Sequence, residues 1–371
     1  MNTRFVVFAA TLVALAMGSQ VAHAQYPMNP YPGMYPGVNP GMYQASMASV
    51  APSTAHLDDE IVTDKEGGKC GAGCEDPCCK VAFYGDFLYL RARDAEVAYG
   101  VEIDDTNTPP SPVQVGPVAL VDLDFQPAFR AGARLYTDAC NAVSAQYTFF
   151  DGSTSSSLAR TGNNVLQSIV QHPGVQNVGA NWTQGQAQYD INFDIIDASY
   201  ESLFWCDPCT EVRYLIGFRY VQHEQEFDSL FQGNGWEAVS TEVDFYGAGA
   251  RFGLEADRQL THCWAIYARG YGSLIPGEFS ADYHLGQNAD PVIVNTSWQA
   301  GRIVTIWDLE LGTSLVSKCG WYRFDVGYVF SAWTNMVQTD EWIYGVQRNN
   351  FIDMDSTSTL DGLVARVEVR Y

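Results

Sequence analysis

From residue 81 to the C-terminus, apolar and polar residues alternate at every second position, which marks strands with two unlike faces. FQPAFRAGARLY (125–136) sets Phe125, Phe129, Ala131, Ala133 and Leu135 against Gln126, Arg130, Gly132 and Arg134. EVRYLIGFRY (211–220) sets Val212, Tyr214, Ile216, Phe218 and Tyr220 against Glu211, Arg213, Gly217 and Arg219. WYRFDVGYVF (321–330) opposes Tyr322, Phe324, Val326, Tyr328 and Phe330 to Arg323, Asp325 and Gly327. The final GLVARVEVRY (362–371) does the same with Leu363, Ala365, Val367, Val369 and Tyr371 against Arg366, Glu368 and Arg370. Comparable stretches at 81–91, 142–150, 188–195, 242–255, 263–274 and 306–315 bring the total to ten. Some details depart from the pattern. The 81–91 stretch is apolar on both faces, and parity reverses at Ile195-Ile196, where a bulge is expected, and again near Tyr246.

The connections alternate in length. Short ones carry TDAC, CDPC, the run around ADRQLTH, and SKC; long ones centre on 94–118, 152–185, 227–237, 276–299 and 335–357. Short–long alternation over an even strand count predicts an all-β fold: an antiparallel up-and-down transmembrane β-barrel of about ten strands, with eight or twelve as alternatives. Both ends of the barrel segment then lie at the short-turn, periplasmic side. A soluble β-sandwich or barrel alternates too, but three features favour the membrane. Aromatics stand near strand ends (Tyr136, Trp264, Trp307, Trp321, Trp333, Tyr371), where interface girdles need them. The polar faces mix Arg, Asp, Glu and Gly without lysine, which occurs only at Lys65, Lys69, Lys80 and Lys318. Closure of the last strand on the first would leave no free edge.

The N-terminus adds an address. Residues 1–24 carry Arg4, an apolar run from Phe5 to Met17 and the small-residue site Ala22-His23-Ala24, the three parts of a secretory signal peptide. Residues 25–69 begin with repeated Pro-Gly-Met-Tyr and read as a flexible Pro/Gly/Met/Tyr-rich linker. A Cys-rich periplasmic segment (70–80) precedes the barrel (81–371). A net charge of −23 excludes nucleic acid as a partner, since phosphate needs a basic surface.

The candidate chemistry follows from the polar faces. The expected lumen lining is Arg130, Arg134, Glu211, Arg213, Arg219, Glu242, Asp244, Arg251, Arg269, Asp308, Glu310, Arg323, Asp325, Arg366 and Glu368, an almost balanced set suited either to a wet constriction or to a plug of ion pairs. The five long connections sum to −12, so the outer mouth should concentrate cations. All nine cysteines fall at the short-turn end: Cys70, Cys74, Cys78 and Cys79 before strand one, and Cys140, Cys206, Cys209, Cys263 and Cys319 by the turns. Disulfides in an oxidising compartment are the leading reading, with Zn²⁺ held by CGAGCEDPCC as the competing one. No cofactor is called for. His223 near Glu224 and Glu226, and His284 near Asp282, are the residues an enzyme would use, but no spacing fixes a site, and no enzymatic activity is expected.

LIGFRYVQ (215–222), FYGAGARFGLE (245–255), FDVGYVFSAW (324–333) and STLDGLVARVEVRY (358–371) resemble the Legionella major outer membrane protein family, whose planctomycete-like members carry similar Pro/Tyr-rich tails. The resemblance covers roughly 81–371 and implies a pore-forming barrel in the outer membrane. It implies outer-membrane lipid as the surrounding partner, and recognition by the barrel-assembly machinery through a last strand ending at Tyr371. The resulting expectation is a porin-like channel that passes small hydrophilic solutes or ions with a mild cation preference. The alternative is a non-conducting structural or adhesive barrel, crosslinked to copies of itself or to the cell envelope through its cysteines.

Overall fold

The computed structural model describes residues 80–104, 113–175, 182–288, 290–317, 320–352 and 354–371. The signal segment, the linker, Cys70, Cys74, Cys78, Cys79 and Cys319 lie outside these residues. In chain order the strands are β1 (Val81–Arg93), β2 (Val97–Ile103), β3 (Gln114–Val121), β4 (Gln126–Tyr136), β5 (Asn141–Ala159), β6 (Val165–Ser168), β7 (Gln184–Asp207), β8 (Thr210–Gln232), β9 (Trp236–Gln259), β10 (Trp264–Gln287), β11 (Asp290–Val316), β12 (Tyr322–Met336) and β13 (Ser356–Arg370). Helix α1 (Thr339–Arg348) lies between β12 and β13. Ten strands, all but β2, β3 and β6, close into an antiparallel barrel, and each of the ten expected from alternation falls on one of them. The last strand seals the barrel against the first, from Ala82↔Arg370 to Arg93↔Thr359. Backbone bonds from Lys80 N and Val81 N to the Tyr371 carbonyl finish the seam.

The long connections turn out to be mostly strand. β7 to β11 run 23 to 27 residues, on the order of 75–90 Å at ~3.3 Å per residue. A tilted strand crosses a bilayer in about 9–11 residues, so more than half of each stands clear of it. β8 and β9 are joined by Gly233-Asn234-Gly235 alone. β1, β4, β12 and β13, at 11 to 15 residues, are far shorter. The barrel wall is therefore tall on one side. Against its inner surface pack α1 and the small sheet ordered β3-β2-β6, neither of which alternation had signalled.

This height explains the parity reversals. On β7, Tyr189, Ile191, Phe193 and Ile195 point inward, followed on the same inward side by Asp197, Ser199 and Glu201. The outward side carries Gln188, Asp190, Asn192 and Asp194, then Ile196, Ala198 and Tyr200. Pairing with β5 and β8 runs unbroken through Ile195 and Ile196, so the expected bulge is absent. What changes is the medium. At the short-turn end, apolar side chains face lipid and charges fill the lumen; above it, polar side chains face water and an apolar core fills the interior. β9 crosses the same level near Tyr246 in continuous register with β8. β1 is apolar on both faces because Phe83 and Phe87 meet lipid while Leu88, Leu90 and Ala92 enter the upper core. Barrel register shifts occur instead at Leu203/Trp205, Leu285/Gln287 and Thr334/Met336.

The upper core corrects two assignments. Trp333 is not a girdle residue: it shares the inward parity of Arg323 and Asp325 but sits above them, buried against Phe193 and His223 with centroids 5.6 and 5.5 Å apart. Tyr136 also points inward, beneath the Arg213 guanidinium. Trp264, Trp307, Trp321 and Tyr371 are exposed, as a girdle needs. Helix α1 buries Trp342, Ile343 and Val346, one stripe at helical spacing, and the Trp342 indole donates to the Asp282 carbonyl at 3.1 Å. Asp340 and Glu341 in its first turn and Arg348 in its last suit the helix dipole.

Candidate functional site

At the level where the outer wall is apolar, the lumen holds a mesh of ion pairs. Arg366 on β13 donates through Nε and Nη2 to Asp86 on β1 at 2.7 and 2.8 Å. Arg130 on β4 reaches the same carboxylate at 2.8 Å and Glu310 at 3.1 Å. Arg269 continues the chain to Glu310 at 2.6 Å and Asp325 at 2.8 Å, and Arg323 links Asp325 at 2.7 Å to Asp257 at 2.5 Å. Nearby, Arg134 joins Glu201 and Glu255 at 2.8 and 2.9 Å. Arg219 holds Asp197 and Asp308, each at 2.7 Å, and Arg251 shares Asp197 at 3.1 Å.

Several of these bonds join strands that are not neighbours in the wall. Arg130–Glu310 runs from β4 to β11, Arg134–Glu255 from β4 to β9, Arg219–Asp308 from β8 to β11, and Arg323–Asp257 from β12 to β9. They therefore cross the lumen. The Asp86 and Asp325 side chains are 0% exposed, Glu310 3% and Arg269 5%. A channel as wide as a water molecule would expose them.

Three layered stacks brace the mesh. The Tyr84 and Tyr271 rings lie against Gly132 and Gly253 on adjoining strands, and the Tyr267 side chain reaches over Gly312 on β11 to Gly327 on β12, where an added Cβ would collide with the tyrosine. Arg366, Arg269 and Arg251 cover the same three rings at 4.4, 4.3 and 4.1 Å from their centroids. Glycine is what lets each ring lie flat on the wall. Such buried pairs add little net stability over apolar packing, but breaking one strands a charge.

Of the residues expected in the lumen, Arg130, Arg134, Arg219, Arg251, Arg269, Asp308, Glu310, Arg323, Asp325, Arg366 and Glu368 point inward at this level. Glu211 and Arg213 pair with each other near the short turns. Glu242 and Asp244 are not in the lumen. They lie above the polarity exchange, where the outward face is the charged one, and with Glu224 they form a carboxylate cluster on the outer wall whose ligand atoms lie within 4.8 Å of one another. Burial and the Glu242 and Glu224 charges push the Asp244 carboxyl up to about 6. Asp86, Asp197, Glu201, Glu255 and Asp257 are lumenal but were not singled out. Glu255 and Asp257 keep the parity of Arg251. Asp86 was hidden in a strand apolar on both faces, and Asp197 and Glu201 follow the reversal that reads as a bulge.

Among the described cysteines, Cys140 and Cys263 carry free thiols, while Cys206, near the end of β7, and Cys209, in the β7–β8 turn, are engaged; the other five candidates lie outside the described residues. His223 points inward and Glu224 and Glu226 outward, so that suspected couple is not assembled.

The family described as "Legionella pneumophila major outer membrane protein precursor" matches residues 75–369. Among solved structures, the outer membrane protease OmpT from Escherichia coli is similar at 9% identity, covering 80% of this chain and 98% of that one, with a TM-score of 0.44. The CymD monoaromatic hydrocarbon channel (10%; 79% and 88%; 0.31) and the Pseudomonas putida toluene transporter TodX (7%; 79% and 90%; 0.28) are similar more loosely. Likeness at these scores decides nothing about function. No curated protein matches the sequence. By its family match over most of its length, this chain belongs to the Legionella major outer membrane protein family and is a β-barrel of the bacterial outer membrane.

Proposed function

We propose that this barrel is closed at membrane level and serves as a structural or adhesive element of the outer membrane, with its tall wall turned to the medium. The observation that carries this reading is the burial of Asp86, Asp325, Glu310 and Arg269 beneath bonds that span the lumen. Above them the apolar core around Trp333 and Trp342 fills the tall end. No catalytic role is assigned, and Tyr371, sealing the seam, is the terminus the assembly machinery would read. The free, exposed Cys140 thiol offers a point of attachment to a second copy or an envelope partner.

Passive diffusion of small hydrophilic solutes or ions, with a mild cation preference, is the second reading. Its support is that the membrane-level lumen is charged rather than greasy, so it would wet if the mesh parted, and that the sequence segments at the tall end are acidic. Planar-bilayer recording of the refolded full chain separates the two. The closed barrel gives no steady conductance in molar KCl. A stable open level with cation selectivity in asymmetric KCl overturns the closed reading and installs the second; anion selectivity removes the cation preference.

A further inference from the structure

The tall wall ends abruptly at β11. Its neighbour β12 is short and pairs with it only from Thr305 downward. Above that level β11 pairs with β10 alone, in unbroken register from Pro276↔Ile303 to Leu285↔Val294. Antiparallel bonding alternates sides along a strand. Ile303, whose carbonyl accepts from the Asn335 amide at 2.9 Å, faces away from β10. Asn295, Ser297, Gln299 and Gly301 share its parity and turn their N–H and C=O groups the same way. Among the described residues, no backbone group meets them. Their outward side is exposed throughout.

Sheets usually blunt such an edge with charge, proline or a bulge. From Val294 to Gly301 β11 has no proline, no charged residue and no register shift. Other edges are treated differently. On β5 above Phe150, Gln126 Nε2 donates to the Ser153 carbonyl at 3.4 Å and Leu123 packs over Gly152. β3 carries Pro117 and loses register with β2 twice. The chemistry beside β11 says what kind of chain fits there. On β10, Glu278 stands opposite Gly301 and Asp282 opposite Ser297, and Glu242 and Asp244 continue the acidic face on β9. Among the described residues, none of these four carboxylates forms an ion pair. A strand added at the edge would lie about 10 Å from β10, two strand spacings away. The small Ser297 and Gly301 leave its outward side chains a path to Asp282 and Glu278.

We propose that the free edge of β11 takes up an extended, basic segment of a partner polypeptide as an added strand. Backbone bonds hold the segment, and Lys or Arg at alternate positions answer the carboxylates. A second copy of this chain would bring the same acidic wall and meet repulsion. The inference deepens the adhesive reading by naming its surface and its partner's chemistry. The edge stands above the lumenal mesh, so it takes a strand whether or not the barrel conducts, and bilayer recording and the test below fail separately.

The probe is a fluorescein-labelled peptide of alternating Lys and Thr, titrated by anisotropy against the full chain refolded in non-ionic detergent micelles. The wild type should bind it at least about tenfold tighter than an alternating Glu-Thr peptide or a version with prolines at its centre. Ser297→Pro deletes one free-side N–H and leaves the β10 ladder whole, so binding should weaken about tenfold with the thermal midpoint held within a few degrees. Glu278→Gln combined with Asp282→Asn should weaken binding at least about threefold and flatten its salt dependence. Asp190→Asn, on β7 across the wall, should change nothing. Equal binding by wild type and Ser297→Pro, or by the proline-containing peptide, overturns strand addition. A loss in Asp190→Asn as large as in the β10 double variant overturns the β11 edge as the place. If Ser297→Pro fails to fold, the proline-containing peptide and the β10 double variant decide. Dimers of the chain alone that Ser297→Pro dissolves overturn the partner in favour of a second copy.

Discussion

Asp86 carries the seam between the first and last barrel strands. Its carboxylate is fully buried, takes both Nε and Nη2 of Arg366 across β1 and β13, and is shared with Arg130. In Asp86→Leu, Arg130 keeps Glu310 at 3.1 Å, but Arg366 loses the one ion-pair partner it has among the described residues. Stranding a buried guanidinium costs about 3–5 kcal/mol. Arg366→Met is milder, because Asp86 remains held by Arg130. It forfeits the charged hydrogen bonds and the stack on Tyr84, about 2 kcal/mol together. The double variant leaves no unmatched charge at the seam and should recover to within about 1–2 kcal/mol of wild type, a coupling of at least about 3 kcal/mol. The assay is urea unfolding from phospholipid vesicles at neutral pH, followed by tryptophan fluorescence, on all four proteins. A loss below about 1 kcal/mol in Asp86→Leu, or a double variant as damaged as the summed singles, would refute the idea that paired charges hold the seam shut.

Two further outcomes test the polarity exchange. Val326→Arg, on the lipid-facing side of β12, should cost about 2–4 kcal/mol, whereas Glu242→Arg, on the outer wall above the lipid, should cost no more than about 1 kcal/mol; equal costs in vesicle unfolding would place the boundary elsewhere. His223 lies above the membrane level, packed on Trp333 with Nδ1 unpaired, and burial pulls its imidazole down to about 4. The unfolded chain protonates near 6.5, so in the window between those values it binds a proton that the fold does not. Stability is then full above about pH 6.5 and falls as pH drops toward 4, by up to about 3 kcal/mol. His223→Phe should flatten that part of the pH–stability curve, and an unchanged slope would show that another group is responsible.

The two-storey interior also bears on function. In the lower storey, lipid demands an apolar exterior and the lumen takes the charges. In the upper storey, water demands a polar exterior and the interior can pack as an ordinary core. A solute crossing this barrel would have to part an ion-pair mesh and then move a folded core. That ordering is why the closed reading is preferred over passive diffusion, and why conductance is the deciding measurement.

The sequence by itself located the ten barrel strands, with eight or twelve as alternative counts, and determined their pairing order, the closure of the last strand on the first, and the side of β12 and β13 that meets lipid. Period-two alternation is a local property of an extended chain, and the lengths between alternating runs decide which ends meet. Only the tertiary structure decided where lipid stops. Glu242 and Asp244 belong to the same polar–apolar run as Arg251 and Glu255 but stand on the opposite face of β9, and the face that carries charge switches because the medium around the strand changes between them. The partners of Asp86 and the cross-lumen reach of Arg134 were likewise beyond local pattern, since alternation tells which way a side chain points and not what stands across the barrel. Polarity shows that two faces differ; which face is the inner one depends on what surrounds the strand.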